Sequence, residues 1–372
     1  VGESVLQIAP NAAAAYSLRS LTGGDPTVVR VRRGGDNSEQ DFTASQISAG
    51  ALTSFVNEAG FQFNLQEDAT GGSFADGPTN QIYASNADNT VWTGETTSSH
   101  TFQYTGSAWF YRYTDSATGN IYQVTANADS THPYNANWFS STVTTSTYNT
   151  GSYYGQGANL FADIGYFSFS SPGDGFVETW YDQSGNDKDA IQETASKQPK
   201  IVTSGVLNTD GIKFDGTNDF LDAVIPGINS SSALSVFTAQ YQSSKSILGD
   251  TTNRRLIFGS TAAQFYLSIL QINEAYTSVP SGQTSLFSAI HNGTNSVPNV
   301  AIHANGNAAT QNSGSQGSLM ANIPIDYIGK NQGSTGTRFY DQFVQEIIIY
   351  KSDQSANRVA IETNINSEYS IF

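Results

Sequence analysis

Gly175-Phe176-Val177-Glu178-Thr179-Trp180-Tyr181-Asp182-Gln183-Ser184-Gly185-Asn186 and, further on, Ile212-Lys213-Phe214-Asp215-Gly216-Thr217-Asn218-Asp219-Phe220-Leu221 decide the fold of this chain. In each stretch a short run of apolar and β-favouring residues meets a cluster of Asp, Asn, Ser and Gly, the pattern of a strand entering a turn. The pattern recurs through Leu234–Tyr241, Arg255–Phe258, Phe265–Gln271, Thr284–His291, Asn299–Ala304, Ile325–Gly329 and Phe343–Tyr350. Asn292-Gly293 and Asn305-Gly306 are hairpin signals between such runs. Many short strands joined by Gly/Asn/Asp turns predict a sandwich of antiparallel sheets over residues 173–372.

Working outward, residues 1–60 carry the helical signals. Asn11 is placed to cap a helix through Ala12–Ala15 to Leu18. Ser48 is placed to cap a second, with Leu52, Phe55, Val56 and Ala59 on one face and Gly60 at its end. Between them Val28–Arg33 alternates in part, with Val29 and Val31 on one strand face. This segment is expected to pack on the sandwich. Residues 61–172 change character: lysine is absent and Arg112 is the only arginine. Strand-like runs at Gln81–Ala84, Thr90–Thr93, Thr101–Tyr104, Ala108–Tyr113 and Ile121–Thr125 predict a β-rich insertion or second domain. The Tyr/Ser/Thr/Asn-rich stretch from Asn127 to Gly157 reads as a long loop or arm. A short C-terminal helix, Ala356–Asn366 capped by Ser355, closes the chain.

Composition sets limits. Of 372 residues, 38% are hydrophobic, enough for a core, but only 13% are charged, about half the usual share. The formal net charge of −16 opposes phosphate backbones and anionic lipid. Nucleic acid is therefore not expected as a partner, and no apolar run reaches the roughly 20 residues of a membrane span. The chain has no cysteine, which excludes disulfides, thiolate nucleophiles and Cys-type zinc sites. It starts at Val1, consistent with removal of an N-terminal piece.

The Trp180–Asn186 block, Ala190, Gln198-Pro199 and Ile212–Leu221 together resemble the start of laminin-G-like, concanavalin A-like domains, which occur in phage virion and bacterial surface proteins. The end fits the same resemblance through Phe343, Glu346-Ile347-Ile348-Ile349-Tyr350, Arg358, Ile361-Glu362 and Asn364-Ile365-Asn366. A second resemblance lies in Ala15-Tyr16-Ser17-Leu18-Arg19, Val29–Arg33, Asp36 to Asp41 and Tyr181–Gly185, which look like the catalytic sandwich of the arabinofuranosidase B family. The implied fold is a mostly β, concanavalin A-like jelly-roll β-sandwich with a β-rich insertion at 61–172 and a few short helices.

That second family uses a glutamate nucleophile and an aspartate acid. The nucleophile is implied soon after Leu234–Tyr241, yet no glutamate occurs from Thr194 to Asn273. Asp250 is the nearest carboxylate, and Asp326 begins a strand-like run. A retaining hydrolase needs two facing carboxylates, so the sequence predicts no enzyme activity. The laminin-G-like resemblance, with the low charge and the Asn127–Gly157 stretch, implies a structural or adhesion protein of a phage virion surface (capsid decoration, fibre or tail). The alternatives are a secreted arabinofuranosidase-type hydrolase and a bacterial adhesin. The expected location is the virion surface or the cell exterior. The expected partners are further copies of the chain, other virion proteins or cell-surface glycans.

Particular residues carry finer expectations. Trp109, Tyr111 and Tyr113 alternate on one strand face; buried they are core, exposed they stack on sugars. They and Asp250 are the candidate carbohydrate contacts. Asp182 is expected to pair with Arg32 or Arg33, near Asp36, pinning the N-terminal segment to the sandwich. Asp187, Asp189, Asp215, Asn218, Asp219 and Asp222 supply oxygens at turns, where calcium is conceivable and ordinary turn chemistry is the simpler reading. No other cofactor or metal is expected. The histidines are His100, His132, His291 and His303, singly placed and without metal spacing.

Overall fold

A computed structural model describes residues 2–34, 37–57, 173–225, 233–243, 245–250, 282–294, 300–308, 325–331 and 337–372 with their side chains. Elsewhere it describes the backbone of strands only, including those between Phe61 and Phe169 and the hairpin Gln264–Ile269/Ile272–Thr277. The protein is a mostly β sandwich with short helices.

One sheet is built on Leu234–Tyr241, flanked by Thr284–His291 and Phe343–Tyr350, all antiparallel. Val300–Ala304 extends it beyond Thr284–His291, and Ala14–Ser17 extends it beyond Phe343–Tyr350. The other sheet runs from Glu39–Thr43 through Thr27–Arg33 to Gly175–Trp180. It continues through Ala190–Ile191, Leu221–Ile228 and Ile323–Ile328 to Leu248–Gly249. Lys200–Thr203 and Ile212–Lys213 bridge the two at a corner.

The last strand shows why its sequence is apolar throughout. Ile347 and Ile349 face the main core with Tyr16, Val29, Val31, Trp180, Phe214 and Leu248. Ile348 and Tyr350 face the opposite way, under the C-terminal helix, against Val5, Phe237, Ile361 and Ile365. A strand buried on both faces reads as a continuous apolar run rather than an alternating one.

Local outcomes differ from the expected ones near the N-terminus. Ala14–Ser17 is a strand with every residue buried, not a helix; the helix sits earlier, at Val5–Ile8. Asn11 adopts φ 66°, a turn conformation that Asn tolerates. Alanine's helix preference of a few tenths of a kcal/mol per residue yields to pairing with Ile347–Ile349. The second expected helix runs over Ala51–Asn57 with Leu52, Phe55 and Val56 as its buried face, as the spacing predicts; Ser48 ends a separate helix, Ala44–Ser48 capped by Thr43, instead of capping it, and Ala59 and Gly60 lie outside the described residues. The C-terminal helix spans Arg358–Tyr369, because Ser355 donates to Asp353 in a preceding turn instead of capping.

Gly175 pairs with Arg33 on the side of that strand away from Glu39–Thr43, so the chain leaves the sheet after Thr43 and returns beside Thr27–Arg33. Strands between 61 and 169 pair among themselves: Phe61–Gln66 with Asp163–Phe169, and Ser99–Tyr104, Ala108–Thr114, Ile121–Asn127 and Phe139–Val143 in a meander.

The Asp182 carboxylate joins the remote pieces. It accepts the Ala15 amide at 2.8 Å, the Ser184 amide at 2.9 Å, the Ser184 hydroxyl at 2.7 Å and the Lys188 amide at 3.1 Å. Gln183 completes the clamp, donating from Nε2 to the Ser17 and Arg19 carbonyls and accepting the Leu21 amide at 2.7 Å. Asp182→Ala orphans these donors. It is expected to cost about 2–4 kcal/mol, read as a lower denaturation midpoint; a change under about 0.5 kcal/mol contradicts the clamp.

Candidate functional site

The register of the second sheet places one row of residues on its solvent face. Ile191 is opposite Asp222, Asp222 is opposite Tyr327, and Tyr327 is opposite Gly249. Along Leu221–Ile225 burial alternates: Leu221, Ala223 and Ile225 enter the core while Asp222 and Val224 face out.

Walls rise on both sides of this row. On one side Asp187–Thr194 follows the Asp182 clamp, held by Lys188, whose carbonyl accepts the Tyr16 hydroxyl. On the other the chain crosses over Gly249. A Cβ there would lie 2.3 Å from the Lys330 carbonyl and 2.6 Å from the Asn331 Cβ, so only glycine permits the crossing. The first wall and the floor enclose a cleft of about 410 Å³, lined by Asp187, Lys188, Asp189, Ile191, Gln192, Glu193, Thr194, Asp222 and Val224. Carboxylates thus alternate with exposed Ile191 and Val224.

Desolvation raises the Asp189 carboxyl, the hydrogen bond from the Asp182 amide draws it back down, and the neighbouring charges of Asp182 and Asp187 add to the rise. Asp189 is also oriented, since its Oδ1 accepts the Asp182 amide at 2.8 Å. Desolvation raises the Asp222 carboxyl too, although Lys330 and Lys197 pull it down. Two carboxyl groups in one cleft, both raised by desolvation, are the kind of groups that exchange protons with a bound molecule.

Beside Asp222, the Lys330 ammonium lies 4.0 Å from the ring centres of both Phe220 and Tyr327. Those rings meet edge to face at 5.7 Å. Lys197 approaches Phe220 at 5.8 Å. Burial lowers the Lys330 ammonium, the charge of Asp222 opposes that, and the charge of Lys197 adds to it.

The residues anticipated from sequence are dispersed. Asp182 does not pair with an arginine; backbone amides and Ser184 satisfy it. Arg32 donates to Gln198 at 2.7 Å and Asn37 at 2.8 Å and lies over Phe176, while Arg33 donates to the Phe55 carbonyl and lies over that ring. Asp36 lies outside the described residues. Asp250 is fully buried and so presents no surface to a sugar. Trp109, Tyr111 and Tyr113 sit on Ala108–Thr114, opposite Ala126, Val124 and Tyr122, but their side chains lie outside the described residues. So does the 127–157 arm apart from its strand backbone.

Of the oxygens considered for calcium, Asp187, Asp189 and Asp222 line the cleft. Asp215 instead accepts the Thr217, Asn218 and Asp219 amides, which is turn chemistry. Among the described residues no group of three or more His, Cys, Asp or Glu is arranged to hold a metal ion. The sequence offers Asp187, Asp189 and Asp222 as turn oxygens but not as one cleft, because the pairing of Ile191 with Asp222 is not encoded in their spacing. The available signal was the alternation Leu221-Asp222-Ala223-Val224 beside the acidic stretch at 187–193.

No protein-family model matches this chain, and no curated protein does. Solved structures similar to it include a Trypanosoma rangeli sialidase in complex with sialic acid, with 11% identity, a TM-score of 0.34, and coverage of 83% of this chain and 61% of that one. A GH54 α-L-arabinofuranosidase soaked with a cyclic sulfate inhibitor gives 8% identity and a TM-score of 0.38, over 98% of this chain and 64% of that one. A further Trypanosoma rangeli sialidase structure gives 10% and 0.35, over 77% and 58%. The chain therefore spans about three fifths of the length of each. These are structures of a sialidase and an arabinofuranosidase, and the expectation of a non-enzymatic virion or adhesion protein is corrected on that finding. At these scores no residue of the site is carried over from them.

Asp219, buried at the turn beside this sheet, has its carboxyl pushed up to about 7, chiefly by desolvation and then by Asp215. The folded state therefore holds this proton more tightly than the unfolded chain, and this group's contribution to stability is lost as pH rises from about 4 to about 7. Asp219→Asn is expected to flatten that loss and raise stability at pH 8 by an amount on the order of 1 kcal/mol. Denaturant midpoints at pH 5 and 8 check it; an equal pH slope in both proteins contradicts it.

Proposed function

We propose that this chain is a glycoside hydrolase acting at the cleft between Asp187–Thr194 and the strand Leu221–Ile228, with Asp222 and Asp189 as its carboxyl pair. The observation that carries this reading is that both groups share one open cleft and both are raised by desolvation. Cutting a glycosidic bond needs one carboxyl to protonate the leaving oxygen and another to activate water or attack carbon. Asp222 stands on the floor with its carboxyl drawn toward the protonated form, the state a general acid needs. Asp189 is oriented through the Asp182 amide, the state a base or nucleophile needs. The cleft volume suits sugar rings, and Ile191 and Val224 offer apolar surface to their C–H faces.

In this reading the sandwich is a concanavalin A-like jelly roll and residues 61–172 are a unit inserted into it. The support is the pairing of Arg33 with Gly175 and the closed pairing of the inserted strands. The first substrates to try are arabinose-containing polymers and a chromogenic arabinofuranoside, following the sequence resemblance.

Release of reducing sugar is expected to fall by about 10²–10⁴ in Asp222→Asn and in Asp189→Asn. Asp215→Asn, outside the cleft, is expected to keep its activity. Full activity in both cleft variants, or no release from any glycan by the unaltered chain, contradicts the proposal.

A further inference from the structure

Next to the cleft, where Asp222 meets Tyr327 across the sheet, a side-chain cluster has chemistry that proton transfer does not use. Lys330 and Lys197 approach one ring, Phe220, at 4.0 and 5.8 Å, and each ammonium feels the other's charge. Like charges are costly to gather, and Lys330 is in addition partly desolvated. Neither ammonium forms an ion pair with a described residue. An ammonium carries three donors, and the faces of Phe220 and Tyr327 attract its charge without accepting those donors as oxygens would. Asp222 is the nearby countercharge, and in the role proposed above it carries the proton it gives to the leaving oxygen.

The geometry points to a subsite for the anionic group of an acidic saccharide, bound by Lys330 and Lys197 over the Phe220–Tyr327 aromatic pair. This inference rests on the cleft being a saccharide site and names the class of saccharide: one with a carboxylate or sulfate on a ring next to the bond at Asp222. The rings that hold the ammonium also supply apolar surface beneath a sugar. The chain's net charge of −16 opposes an anion from afar. That field is screened beyond about 8 Å at physiological salt, whereas the lysines act at contact.

The test measures binding to the whole chain by calorimetry, with an oligogalacturonide, a sulfated oligosaccharide and a neutral arabino-oligosaccharide as probes. The acidic oligomers are expected to bind more tightly than the neutral one. Lys330→Met with Lys197→Met is expected to weaken the acidic probes by at least about tenfold, near 1.4 kcal/mol, and the neutral probe by less than about twofold. Lys330→Arg, which keeps the charge, is expected to retain acidic binding and guards against loss of folding in the double variant. Preference for galacturonide over the sulfated probe assigns a carboxylate, and the reverse assigns a sulfate. Acidic probes that bind no more tightly than the neutral one, or binding that the double variant leaves intact, overturns the inference. These results do not depend on turnover: a chain that binds acidic oligomers through the lysines but cleaves nothing sinks the hydrolase reading alone.

Discussion

A single carboxylate, that of Asp182, holds together parts of the chain that are far apart in sequence. It accepts the Ala15 amide, which belongs to the strand at the edge of one sheet, while Trp180, two residues earlier, ends a strand of the other. Tyr16 packs on Trp180 at 5.6 Å, and its hydroxyl reaches the Lys188 carbonyl. The same residues that close the sandwich therefore fix the wall of the cleft, for Lys188 and Asp189 lie directly beyond the clamp. Asp189 accepts the amide of Asp182 itself. Stability and the candidate chemistry are coupled through one peptide unit.

A second anchor works on the same edge strand. Glu346 is fully buried and accepts Arg19 Nε at 2.7 Å and Nη2 at 2.9 Å, with Ser17 and the Tyr369 hydroxyl as further donors. A buried ion pair of this kind contributes little net stability, but removing one partner strands a charge. Its evident role is positional, since it joins the N-terminal strand, the last strand and the C-terminal helix.

Much of the fold is legible in the sequence because burial patterns are local. Val29 and Val31, Leu234–Tyr241 and Phe343–Tyr350 become strands as expected, and Leu52, Phe55 and Val56 become a helix face. The Trp180–Gly185 block does connect the N-terminal segment to the sandwich, but through amides rather than arginines, a distinction side-chain types alone do not make. Ala12–Leu18 misleads because alanine's local preference says nothing about the partner strand that overrides it. The cleft is illegible for a different reason. Asp189 and Asp222 become neighbours only through the pairing of Ile191 with Asp222, and sequence spacing does not encode which strands pair. A resemblance that pointed to a glutamate after Leu234–Tyr241 drew attention away, toward Asp250, which burial removes from contact with any ligand.

The proposed hydrolase reading places saccharide chemistry in the acidic cleft beside the Asp182 clamp. Its most direct test is a crystal structure of the Asp222→Asn chain soaked with an oligosaccharide. The account predicts sugar density lying across the Ile191–Val224 floor, with a glycosidic oxygen beside residue 222 and Asp189 on the facing wall. Sugar bound elsewhere on the molecule, with this cleft empty, would contradict it.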